Sequence, residues 1–262
     1  MLYDVHTHAF HPKIAPKVLA QLQDHYRIEP RGTGLLDDLL VRARAAGLDR
    51  VVVHTAATAP AQVTPANNWA VDIQRGHEGA LAFGTIHPGS EDWEEQLNRL
   101  ELACIPGLKL HPDFQGFRLD DRRLWPMLEA ARGRFVVMVH VGDRLPPEQN
   151  PSCPMKLARI LDDFPGLTVI AAHFGGWQHW KWSLDALAGR RVYMDTSSSL
   201  PFMDDALLLE FFRRHPAERI LFGSDWPLYD PAEELERLRS RLGLTSREVE
   251  ELALRAGVLF EP

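Results

Sequence analysis

The sequence predicts an α/β fold, a single (β/α)8 TIM barrel spanning residues 1–262, on three observations. Eight short β-rich runs bounded by Gly, Pro and polar residues recur along the whole chain. Amphipathic stretches long enough for helices lie between them, an alternation that requires parallel strands with helical crossovers. Eight such units close a barrel. The Gly-rich first turn expected of an open doubly wound sheet is absent.

The elements follow in order. LYDVHTH from Leu2 is the first strand, and residues 9–33 after it are rich in Pro, Gly and charge, long enough to form a lid over the barrel mouth. A helix over 35–46 completes that unit. RVVVHTA from Arg50 precedes a helix over 66–76, ALAFGTIH from Ala80 one over 93–102, and GLKLH from Gly107 one over 122–131. FVVMVH from Phe135 leads to 155–164, LTVIAAH from Leu167 to 177–187, RVYMDTS from Arg191 to 204–214, and ILFGSD from Ile220 to 231–242. Residues 246–260 read as a last helix that closes the barrel bottom or packs on its flank.

Composition narrows the function classes. Hydrophobic residues make up 45% and charged residues 25%, the balance of a globular domain with a sizeable core. Lys and Arg number 29 against 36 for Asp and Glu, a formal charge of -7, and no basic run could track a phosphate backbone, so nucleic acid is excluded as the expected partner. Cys104 and Cys153 are too few for a disulfide framework or a four-thiolate zinc site, which fits a cytoplasmic location. Neither a signal segment nor an apolar run of about 20 residues is present, so no membrane association is expected.

Chemistry collects where the strands end. Seven of the 12 histidines fall there: His6, His8, His54, His87, His111, His140 and His173, joined by Lys109, Asp195 and Asp225. Barrel active sites are built at this face. Side chains two apart on a strand share a direction, so His6 and His8 enter the barrel together with Asp4 one layer below. Val136, Met138 and His140 share a face on the fifth strand, as do Val169, Ala171 and His173 on the sixth and Leu221, Gly223 and Asp225 on the eighth. Imidazoles of His6, His8 and His140 with the carboxylate of Asp225 make a ligand set suited to Zn²⁺, and also to Mn²⁺, Fe²⁺, Co²⁺ or Ni²⁺. Such a site lowers the pKa of bound water toward about 7 and yields a nucleophilic hydroxide. His54, His87 and His111 read first as histidines of turns, with substrate contact as the alternative. Gly175-Gly176 reads as a tight turn, Trp177, Trp180 and Trp182 as a helix face with Trp177 near enough to line a pocket, and Glu234 to Arg241 as a solvated helix face.

The motifs DVHTH (from Asp4), GLKLHP (from Gly107), VHVGD (from Val139), AHFGG (from Ala172) and FGSDWP (from Phe222) resemble the amidohydrolase superfamily. The likeness is to its barrel-only amidohydrolase-2 branch, which includes aminocarboxymuconate-semialdehyde decarboxylase and related metal-dependent hydrolases, and it covers the whole chain. Hydantoinase- and deaminase-like relatives wrap the barrel with a β-sandwich, for which this chain has no residues. The resemblance implies one divalent metal on His6, His8, His140 and Asp225. It makes His173 a catalytic histidine that orients or deprotonates the water, with Asp225 assisting proton transfer. It also implies an alternative, a binuclear centre bridged by a carboxylated Lys109 with His140 and His173 on the second metal. In the mononuclear case Lys109 would instead meet a substrate carboxylate.

The leading expectation is hydrolysis of an amide, ester or lactone of a small molecule by metal-bound hydroxide. The alternative is a non-oxidative decarboxylase or hydratase of a small carboxylated substrate, with Lys109, Arg118 and Arg144 as its cationic clamp and His111 and Trp177 as further substrate contacts. A metal-free lactonase and a non-catalytic binding protein rank below these, because none of the five site residues is missing. A homodimer through the helices is a further expectation.

Overall fold

The structure, a computed structural model, describes residues 1–261. All eight expected strands form: β1 (Tyr3–Thr7), β2 (Arg50–His54), β3 (Ala80–Thr85), β4 (Gly107–Leu110), β5 (Val136–Val139), β6 (Thr168–Ala171), β7 (Tyr193–Asp195) and β8 (Ile220–Leu221). They pair in parallel in chain order. β8 is short, and the chain beyond it closes the barrel against β1. Val5 N–H donates to Phe222 O at 2.9 Å, Asp225 N–H to His6 O at 2.8 Å and His8 N–H to Trp226 O at 2.7 Å. The seam thus runs through the residues expected to carry the site.

The helices are α1 (Ala15–Tyr26), α2 (Leu36–Ala45), α3 (Val63–Gly76), α4 (Trp93–Leu102), the short α5 (Pro112–Gln115), α6 (Trp125–Ala131), α7 (Pro154–Asp163), the single turn α8 (Ala172–Gly175), α9 (Trp180–Ala186), α10 (Asp205–Arg214), α11 (Pro231–Leu242), α12 (Ser246–Leu254) and α13 (Gly257–Phe260). The expected 9–33 lid contains a helix, α1, with Pro16 in its first turn and a left-handed Arg27 (φ 58°) ending it. Among the described residues no helix is long and apolar enough to cross a membrane.

Two apolar layers hold the barrel. The outer faces of the strands pack against the helices through residues such as Val51, Val53, Leu108, Leu110, Val137 and Val139. Inside lie Tyr3, Val5, Val52, Phe83, Val136, Met138, Ile170 and Leu221. β-branched residues suit this doubly buried parallel sheet. Gly107 leaves room for the Phe83 ring, since a Cβ there would sit 2.3 Å from Phe83 Cζ. Below, α13 closes the bottom, with Phe260 5.8 Å from the Tyr3 ring and 6.0 Å from Phe83.

Four readings change. Tyr3 and Val5, not Asp4, fill the interior below His6, because the β1–β2 register slips between Asp4 and Thr7. A bulge of this kind reverses side-chain parity, so His6 and His8 enter the barrel above it. Asp4 instead accepts from the backbone N–H of His6 at 3.1 Å and of Ser224 at 3.0 Å, across the seam. On β6 the interior residues are Ile170 and Ala172, while Val169 and Ala171 face the helices. His173 reaches the site because it and Phe174 adopt left-handed conformations (φ 62° and 50°) that turn the chain. Glu234 is fully buried rather than solvated, and Trp177 precedes α9, buried at the mouth.

Candidate functional site

Three of the four expected ligands come together at the top of the barrel. Asp225 Oδ1 lies 3.3 Å from His8 Nε2 and 3.5 Å from His6 Nε2. All three donor atoms fall within 4.8 Å of one another. Their other nitrogens are committed elsewhere. His6 Nδ1–H donates to Asp195 Oδ2 at 2.9 Å, and His8 Nδ1–H to the His54 carbonyl at 3.1 Å. Both imidazoles therefore turn an Nε2 lone pair to the side where Asp225 lies, that of His6 also meeting Lys109 Nζ at 3.1 Å.

The protonation states suit a cation. Burial, reinforced by the nearby Lys109 charge, holds His6 well below the usual histidine value, so it is neutral and its contact with Asp195 is a hydrogen bond rather than an ion pair. Burial works against the charge of Asp225, but the neighbouring His8 and His173 and the Ser198 hydroxyl outweigh it and keep the carboxyl well below the usual range. Ser198 Oγ–H adds a short hydrogen bond to Asp225 Oδ2. Asp225 sits at φ 65°, a conformation costly for a non-glycine residue and imposed by the turn that aims its carboxylate inward. Two imidazoles and one carboxylate fit a divalent metal.

His140 does not join this group. Its Nε2–H donates to Gly142 O at 2.8 Å, leaving Nδ1 as an acceptor that faces His173 Nε2 at 3.0 Å. His173 Nδ1–H in turn donates to the Ser197 carbonyl at 3.1 Å, so a hydrogen between the two rings is an extra proton that the pair shares. Ser197 Oγ lies 2.8 Å from His173 Nδ1 and 2.9 Å from His6 Nδ1, and makes a short hydrogen bond to Asp195 Oδ1. Asp195, fully buried and raised by that burial, also accepts the backbone N–H of His173 and of Ser197. One carboxylate thus ties β1, the turn after β6 and the loop after β7.

Lys109 is completely buried, and its Nζ–H points to His6 Nε2 at 3.1 Å. Burial pushes its pKa down to about 8, against the pull of Asp225 and Asp195. His111 stacks on His140 with ring centroids 3.8 Å apart. Trp177 lines the mouth against Tyr26 and Phe202. Arg144 is exposed beside Asp143 and, among the described residues, has no ion-pair partner. Arg118 is half-exposed and paired with Asp120 at 3.0 Å, so no contact brings it to the cluster. His87 bonds the Gln115 carbonyl and His54 the Val5 carbonyl, as histidines of turns and strand ends.

Sequence reasoning passed over the orienting role of Asp195 and missed Ser197, Ser198 and Tyr26. The run of serines two residues after a strand-end aspartate, Ser197 to Ser199, was the available signal. Tyr26 carried none, because nothing local places it over the mouth.

Comparison with known proteins bears on family and fold. A family model described as amidohydrolase matches residues 3–254. Among curated proteins none matches. Solved structures share the fold at low identity. 5-Carboxyvanillate decarboxylase from Sphingomonas paucimobilis is 16% identical with a TM-score of 0.72, over 99% of this chain and 98% of that one. A probable 2-pyrone-4,6-dicarboxylic acid hydrolase from Acinetobacter baumannii, with citric acid bound, is 16% identical with a TM-score of 0.70, over 99% and 98%. A dihydroxybenzoic acid decarboxylase from Polaromonas, with bound manganese and the inhibitor 2-nitroresorcinol, is 15% identical with a TM-score of 0.70, over 99% and 96%.

Proposed function

The chain belongs to the amidohydrolase family, whose members of this fold are metal-dependent enzymes of small molecules, and from that premise we propose that it hydrolyses an ester, lactone or amide bond of a small carboxylated substrate. The observation that carries the reading is the convergence of His6 Nε2, His8 Nε2 and Asp225 Oδ1, each with its orientation secured by a second contact.

His6, His8 and Asp225 would hold one divalent cation. His140 completes the set only if its Nδ1 parts from His173. Once bound, the ion supplies Lewis-acid polarisation of a substrate oxygen and lowers the pKa of water in the site. Asp225 stays ionised and can accept a proton, while His173 Nε2, which faces His140 Nδ1, is the nitrogen at which a proton can be taken up and delivered to a leaving group. Lys109 in the interior and Arg144 at the rim offer positive charge to substrate carboxylates. A carboxylated Lys109 bridging a second metal is the less favoured arrangement, since the close partner of its Nζ is His6.

Decarboxylation of a carboxylated ring is the second reading, supported by the names of two structural neighbours and by the buried cation. Zinc and manganese are both screened, because a neighbour holds manganese. Metal content per chain, measured by elemental mass spectrometry on protein purified without chelator, is expected to be one equivalent, and near zero in Asp225→Ala. The loaded protein is then offered lactones, esters, amides and aromatic carboxylates. Acid release without CO₂ supports hydrolysis, CO₂ release supports the second reading, and full turnover by Asp225→Ala sinks both.

A further inference from the structure

Residues 9–34 cross the barrel mouth as a strap pinned at its ends and sparsely held between. Phe10 N–H donates to Gly34 O at 2.8 Å, and the N–H groups of Arg31 and Gly32 donate to Pro227 O at 2.8 and 3.1 Å. Between these anchors α1 fully buries one side chain, Ala15. Its C-terminal end makes two side-chain fastenings to the barrel. His25 Nε2 meets Asp143 Oδ2 at 3.0 Å, and the Tyr26 hydroxyl meets His111 Nε2 at 3.2 Å. The Tyr26 ring stands edge-on to Trp177, with centroids 5.1 Å apart, and lies 5.8 Å from Phe114.

His111 decides the direction of that last hydrogen bond. Its Nδ1 accepts the Phe114 backbone N–H at 3.4 Å, at the start of α5, which puts the hydrogen on Nε2. Nε2–H therefore donates to the Tyr26 oxygen, and the hydrogen of the Tyr26 hydroxyl is left unspent. Among the described residues that hydroxyl has no other hydrogen-bond partner. Burial raises the phenol well above its ordinary value, so the hydrogen stays in place. Because His111 stacks on His140 and His140 meets His173, the free O–H stands two rings from His173.

We propose that Tyr26 is a substrate-binding, specificity-determining residue: α1 carries its hydroxyl over the mouth to donate to a carboxylate or carbonyl oxygen of the bound substrate, and the His25–Asp143 contact fastens it there. The proposal rests on the functional reading above only in taking the barrel mouth as the substrate site.

Tyr26→Phe removes the hydroxyl and keeps the ring. On a substrate found in the screen, it should raise KM by about 5–10-fold, the worth of one hydrogen bond, with kcat and metal content little changed. His25→Ala should raise KM in the same direction and speed amide hydrogen exchange across residues 15–26 without affecting the strands. An unchanged KM in Tyr26→Phe overturns the proposal, even if exchange in α1 quickens. Should the parent protein turn over no compound, the functional reading fails by itself, and calorimetric titration of the metal-loaded protein with citrate decides the role of Tyr26. Binding that Tyr26→Phe weakens by about fivefold or more supports it; equal or absent binding overturns it.

Discussion

His6 donates its Nδ1–H to Asp195 across 2.9 Å of fully buried barrel interior, so a carboxylate on β7 sets the tautomer of an imidazole on β1. Removing the carboxylate charge while keeping its shape should leave His6 poorly oriented. Asp195→Asn is therefore expected to weaken metal affinity by about 10–100-fold, the usual effect of losing an orienting partner. Competition with a chelator of known affinity measures it, and an unchanged constant would show that His6 is oriented by Ser197 alone.

His173 donates Nδ1–H to the Ser197 carbonyl and turns Nε2 to His140, so Nε2 is the nitrogen that takes up and passes on a proton. His173→Gln should lower kcat by about 10²–10⁴-fold, the range for loss of a general acid, while one metal equivalent is retained. Loss of the metal in this variant would make His173 a ligand and revive the two-metal arrangement.

Glu234, on α11 and outside the ligand cluster, gives a pH-dependent signature. It is fully buried, one oxygen accepts from Arg237 Nε at 2.9 Å, and the other has no partner. Burial pushes its pKa up to about 7 from an ordinary 4.5. Between those values the folded protein holds a proton that the unfolded chain has released. The contribution to stability is thus full below the unfolded value and is lost as pH rises through about 7. Glu234→Gln cannot ionise, so its stability relative to the parent should climb by up to about 3 kcal/mol between acidic and mildly alkaline solution. Urea unfolding of both proteins at pH 5 and 8.5 tests this; a constant difference would rule out a raised carboxyl.

Gly32 supports the strap by letting Trp226 lie against its backbone. A Cβ there would fall 1.7 Å from Trp226 Cη2, whereas one at Gly76 would meet nothing within 4 Å. Gly32→Ala should cost about 1–3 kcal/mol through overpacking next to Asp225, while Gly76→Ala in α3 should be neutral or stabilising by up to about 1 kcal/mol. Thermal unfolding separates the two, and equal melting temperatures would contradict the packing argument.

Much of the site was legible because parallel barrels place strand ends on one face. The histidines of β1 and the aspartate after β8 could be named from motif positions alone, and the structure brings them together. The side-chain parity of β6 could not. Val169, Ala171 and His173 alternate as a uniform strand would require, yet His173 reaches the site only through a left-handed turn. Glu234 was misread for a similar reason, since a glutamate in a charged helical repeat looks solvated until its neighbours are known.

Local pattern alone determined the number and order of strands, the helices between them, and the residue types that gather at the mouth. These follow from alternation and turn chemistry, which act over a few residues. Tertiary structure decided which imidazole nitrogen carries the hydrogen, where the β1 register slips, and which side chain of the 9–34 strap stands over the site. Each depends on a partner brought close only by folding: Asp195 is 189 positions from the His6 it orients, and His111 is 85 from Tyr26. A hydrogen bond is set by distance in space, and only the closed barrel supplies that distance.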